Sequence, residues 1–120
     1  MAGTLIANTI NTDTGVFSTN NAYSGIAKAW VNFVGSTGVI NASFNVSSVT
    51  RASTGIYTIN YTTAMPSANY VVCGVTSQSN TIVTMNDVAP TTGSANIATR
   101  YCSSATVTDS PITTFAAFGA

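Results

Sequence analysis

The sequence predicts an all-β chain, a single antiparallel β-sandwich preceded by an extended N-terminal arm. Three observations predict it. From residue 26 onward apolar and polar residues alternate with period two over short runs, the spacing of strands with one buried face. Clusters of Gly, Ser, Thr, Asn and Pro divide those runs, and no window carries a 3.6-residue apolar period. Thr, Ser and Asn stand where Lys and Glu usually stand. Thr is β-branched and stiff at χ1, so it suits a pleated strand while its hydroxyl still faces water.

Residues 1–25 read as the arm and 26–120 as the sandwich. In "TLIANTINTDTGVFSTNNAYSG" short apolar pairs lack a sustained period, which fits an extended arm or a short strand followed by loop. In "IAKAWVNFV" Ala27, Ala29, Val31 and Phe33 share one face, while Lys28, Trp30 and Asn32 share the other. "GSTG" follows as a turn. "VINASFNVSSV" reads as one alternating strand, with Ile40, Ala42, Phe44 and Val46 opposite Asn41, Ser43 and Asn45. "RASTG" turns the chain into "IYTINYTTAM", where Tyr57, Ile59 and Tyr61 form a packed stripe. Pro66 breaks the chain, because it cannot donate to a ladder. "YVVCGVTSQ" is the most apolar run and is expected at the centre of a sheet, with Gly74 as a bulge. "NTIVTMNDV", "SANIATRYC" and "ITTFAAF" complete seven or so strands, in jelly-roll or immunoglobulin-like order.

A chain of 120 residues is one domain by length and long enough to bury a core without staples. Charged residues are only 5%, against about 25% in average soluble proteins. Lys28, Arg51 and Arg100 balance Asp13, Asp87 and Asp109, and there is no Glu or His. Net charge near zero protects poorly against association, so the composition points to a chain meant to associate. Three scattered cations make no phosphate-neutralising stripe, which argues against nucleic acid as a partner. No run approaches 18 apolar residues, and the N-terminus lacks the basic start and apolar core of a signal peptide. The expectation is no membrane span and folding in a cytoplasm. Cys73 and Cys102 then read as free, small buried hydrophobes rather than a disulfide.

Catalytic equipment is sparse. Without His the commonest general base and metal ligand is missing. The three Asp residues stand 74 and 22 positions apart, each in turn-like context, with no candidate partner nearby in sequence. No phosphate cradle or nucleophile elbow is present, and two thiols alone make no zinc site. The reading is therefore no enzyme and no cofactor. Asn41, Asn45 and Asn60 head glycosylation triplets that a Thr/Ser/Asn-rich chain generates by chance. Trp30 is either buried, in the core or between subunits, or it offers a sugar-stacking platform together with Tyr23.

Residues 27–72, "AKAWVNFVGSTGVINASFNVSSVTRASTGIYTINYTTAMPSANYVV", resemble a module widespread in tailed bacteriophages, notably those of cyanobacteria and marine bacteria. The likeness rests on "AKAWVNF", "SFNVSSVT" and "TGIYTINYTTAMPSANY"; the leader "MAGTLIANTINTDTGVFSTNN" is similar to the arm that precedes the module. The resemblance implies a non-enzymatic β-sandwich on the virion surface, forming a homotrimer and assembled in the host cytoplasm. It supplies no catalytic residues. An arm of about 25 residues reaches at most about 85 Å and offers no repeating shaft. That favours a capsid decoration knob, bound to the major capsid protein or other virion proteins, over a tail fibre or fibre tip contacting a host glycan. The expected shell or partner contacts are Leu5, Ile6, Ile10, Val16 and Phe17; the expected trimer contacts are Trp30, Tyr57 and Tyr61.

Overall fold

Short alternating runs that each bury one face must pair edge to edge and then stack in two layers, and the chain does so. The computed structural model describes residues 3–4, 6 and 23–119, together with the backbone of 9–12 and 15–18. In the arm, β1 (Thr9–Thr12) and β2 (Gly15–Ser18) pair as an antiparallel hairpin, Ile10 opposite Phe17 and Asn11 opposite Val16. The arm is thus doubled back on itself over these residues, rather than one extended run. A helical turn over 23–25 precedes the sandwich.

Eight strands form the sandwich: β3 (Ala27–Phe33), β4 (Ile40–Phe44), β5 (Val46–Ser53), β6 (Ile56–Tyr61), β7 (Val71–Cys73), β8 (Thr81–Met85), β9 (Ser94–Tyr101) and β10 (Thr113–Phe118). They divide into a first sheet, ordered β4-β3-β10-β7, and a second, ordered β5-β6-β9-β8, every described pairing antiparallel. The all-β sandwich is as expected.

The core lies between the sheets. Ala29, Val31 and Phe33 of β3, with Phe115 and Ala117 of β10, meet Tyr57, Ile59 and Tyr61 of β6 and Ala95 and Ile97 of β9. Phe33 sets its ring edge-on to Tyr57, with centroids 5.0 Å apart, a preferred aromatic geometry.

Three expectations are corrected. "VINASFNVSSV" is two strands in different sheets, not one. Asn45 stands between them at φ 55°, left-handed backbone that Asn tolerates better than most residues. Its side chain fixes the crossing: Nδ2 donates to the carbonyls of Lys28 and Thr63, and Oδ1 accepts from the Thr63 N–H. The run "YVVCGVTSQ" supplies β7, three residues at the edge of the first sheet and not its centre. Gly74 inserts no residue into the register, since Cys73 faces Ala116 and Thr76 still faces Thr113. Glycine is required there by proximity, because a Cβ would run into the Thr114 carbonyl oxygen.

Candidate functional site

Period-two alternation gives each sheet an outer face as well as a core face, and the two outer faces differ in chemistry. That of the second sheet is polar and internally hydrogen-bonded over β5, β6 and β9, with Ile82 of β8 exposed beside it. Thr58 Oγ1 donates to Asn96 Oδ1 at 2.8 Å, and Asn60 Nδ2 donates to Ser48 Oγ and Thr50 Oγ1 at 3.0 and 3.2 Å. Those side chains satisfy one another across three strands.

The outer face of the first sheet is apolar. Register places Trp30 directly opposite Phe44 on one side and Ala116 on the other, and Ala116 opposite Cys73. One row therefore runs across all four strands: Phe44, Trp30, Ala116, Cys73. Trp30 is 41% exposed and Phe44 54%. Val71 and Val75, beside the β7 end of the row, are exposed as well. Large residues on β4 and β3 and small ones on β10 and β7 shape the surface. They leave a ridge, Phe44–Trp30, beside a groove of about 510 Å³ floored by Ala116, Cys73 and Gly74. A second groove of about 530 Å³, lined by Ile26, Phe44 and Met65 among others, borders the ridge on its far side. The charge at this edge is Lys28, whose Nζ lies 3.7 Å over the Tyr23 ring, a cation–π contact.

Trp30 therefore leaves the core, one of its expected places. Tyr57 and Tyr61, expected at a trimer contact, have almost no surface to offer a second chain. They are 0% and 8% exposed inside this chain's own core, because odd-numbered β6 residues face β3 and β10, and the packed stripe read from sequence is where they belong. Ile6 is 91% exposed. Leu5, and the side chains of Ile10, Val16 and Phe17, lie outside the described residues. Cys73 and Cys102 are free thiols but exposed, not buried.

A second cluster closes one end of the sandwich. Asp109, in the loop before β10, accepts from Arg51 Nη2 at 2.6 Å and Nε at 3.0 Å, and from the Gly55 N–H and Tyr57 Oη at 2.8 Å each. Three of these donors come from the β5–β6 strands and the fourth from the turn joining them. Gly55 turns at φ 67°, where a Cβ would lie 2.6 Å from the Thr108 nitrogen. Hydrogen bonds from Arg51 hold the Asp109 carboxyl below the ordinary carboxylate range, against a smaller opposing effect of burial. Oδ1 of Asp109 takes three structural donors and Oδ2 one, and the fifty-eight positions separating Asp109 from Arg51 hid the pair from sequence reading. Among the described residues no three His, Cys, Asp or Glu side chains gather, and no helix is long and apolar enough to cross a membrane.

Burial pushes the Tyr57 hydroxyl up to about 12, and it pushes those of Tyr61 and Tyr70 up too. A raised folded-state pKa gives stability that is intact below the unfolded value near 10 and lost as pH rises through the folded value. The expected outcome is alkaline unfolding between about pH 10 and 12, with tyrosinate absorbance from these three rings appearing together with loss of the β-sheet circular dichroism. Ionisation of these rings well before unfolding would contradict their burial.

The fold and its two outer faces define a β-sandwich with one polar and one apolar exterior. Comparison with known proteins finds no family model, no curated protein and no solved structure that matches the chain significantly.

Proposed function

We propose that the chain is a non-enzymatic structural protein of a bacteriophage virion: a homotrimeric decoration knob whose N-terminal arm grips the capsid shell while the sandwich projects. The observation that carries the reading is the apolar face of the first sheet, centred on Trp30 and Phe44, on a chain with almost no ionic side chains. Such a surface is built to be covered, and covering it desolvates few charges. The resemblance of residues 27–72 to phage virion modules supplies the setting. Leu5, Ile6, Ile10, Val16 and Phe17 are the shell contacts of this reading, and avidity across a lattice of sites makes up for modest individual contacts.

Exposure of Trp30 beside the Asn32 amide favours a second reading, a fibre or fibre-tip module that stacks a host-surface sugar on the indole. Copy number separates the two. Quantitative mass spectrometry of purified virions should find hundreds of copies per particle for a decoration protein. A count in the tens or fewer overturns decoration and leaves the fibre reading.

A further inference from the structure

We infer that the outer face of the first sheet packs against the same face of a second copy of this chain, about a two-fold axis that sets the ridge of each into the groove of the other. The inference goes beyond the virion reading and does not depend on it.

Shape argues for a copy. Ridge and groove lie side by side on one face, Phe44 and Trp30 on β4 and β3, Ala116, Cys73 and Gly74 on and beside β10 and β7. Consider a two-fold axis in the plane of contact, parallel to the strands and passing between β3 and β10. It turns one face onto the other and carries the ridge of each copy over the groove of its mate. An isologous contact needs this self-complementarity. The same operation keeps the strands of the two facing sheets nearly aligned, which is a preferred packing of sheet on sheet.

Charge agrees. A face that meets its own image meets its own charges, and like charges brought together are costly. This row holds no carboxylate and no cation; Lys28, two positions from Trp30 on the same face of β3, sets its Nζ over the Tyr23 ring. Asp87, Asp109, Arg51 and Arg100 belong to the second sheet or to loops, so none opposes the approach. Asn32, half-buried beside Trp30, and Thr114, whose hydroxyl already serves the Val75 backbone, give the patch a polar border of the kind interfaces have.

Area sets the strength. The exposed parts of a few side chains, Trp30 and Phe44 about half exposed and Val71 and Val75 more so, fall short of the roughly 800 Å² per partner of a standard interface. The pair is therefore weak and concentration-dependent rather than a permanent dimer.

Sedimentation velocity over a wide concentration range tests it. The wild-type chain should form even-order species, dimers or paired trimers. Ala116→Arg, which places a charged chain on the groove floor, should weaken that pairing about tenfold or more while the melting temperature and circular dichroism stay unchanged. Should Ala116→Arg fail to fold, Val75→Lys on the exposed rim replaces it. Cys73 gives a readout on the unaltered protein: its maleimide labelling should slow relative to Cys102 as concentration rises. A chain that stays monomeric at high concentration overturns the inference. So does a trimer that forms no paired species at the highest concentration, and so does Cys73 labelling that keeps pace with Cys102 in the associated state. Tryptophan fluorescence titrated with neutral sugars completes the set, since sugar binding to a non-pairing monomer assigns the groove to a glycan and overturns the pairing too.

Discussion

Phe33→Ala should lower the unfolding free energy by about 3–5 kcal/mol, the usual cost of emptying an aromatic site in a core. Phe33 is fully buried between the sheets and supplies the edge-on partner of Tyr57. Neighbours from opposite sheets cannot collapse onto the vacancy without separating from their own ladders, so the upper part of that range applies. Against a total stability of about 5–15 kcal/mol for a domain, that is roughly a third of the whole or more. Urea denaturation followed by circular dichroism should show a much lower midpoint with an unchanged slope. The control lies three residues away: Trp30→Ala, on the opposite face of the same strand, should cost about 1 kcal/mol or less in an unassociated chain. Equal losses for the two would mean that the inside and outside of β3 have been misassigned.

The second large effect belongs to Asp109→Ala, expected to cost about 2 kcal/mol, mainly by leaving Tyr57 Oη and the Gly55 N–H without an acceptor. The Arg51 contact faces solvent on one side and adds little of its own. What the carboxylate does is join the β5–β6 hairpin of one sheet to the loop entering β10 of the other. Its titration gives a separate signature. A folded-state pKa held below the unfolded value near 4 provides stability that is present above that value and lost as pH falls through the folded one. Wild-type unfolding free energy should therefore decline below about pH 4, and Asp109→Ala should remove much of that decline. An unchanged acid limb in the variant would assign acid sensitivity to some other group.

Much of the layering was legible because period-two alternation is a local signal. The inward set Ala29, Val31, Phe33 and the stripe Tyr57, Ile59, Tyr61 could be read from a few residues each. The reading failed where the answer depends on which strands become neighbours. "VINASFNVSSV" keeps perfect alternation through Asn45, yet the chain changes sheets there. Asn is among the few residues that accept positive φ readily, and that was the available signal. Hydropathy put "YVVCGVTSQ" at the centre, but apolar side chains also line an edge when its outer face forms part of an exposed apolar patch. The candidate site was half visible. Trp30 stood out at once, whereas its companions Ala116 and Cys73 come from runs more than forty residues away and meet it only through the ladder. The Arg51–Asp109 clasp had no local signature at all.

The position of β10 bears on how the chain is made. This strand, the latest in the chain among those described, lies inside the first sheet, paired with β3 on one side and β7 on the other. The β3–β4, β5–β6 and β8–β9 hairpins form from neighbouring residues and are available early to a nascent polypeptide, while pairing across long separations is slow. Until residues 113–118 leave the ribosome, β3 and β7 each present an unpaired apolar edge, and such edges invite joining to another molecule. Synthesis thus passes through an interval in which the other seven strands of the sandwich exist and the first sheet still has a vacant slot, a stage at which a chaperone, or a neighbouring chain, has the most to bind.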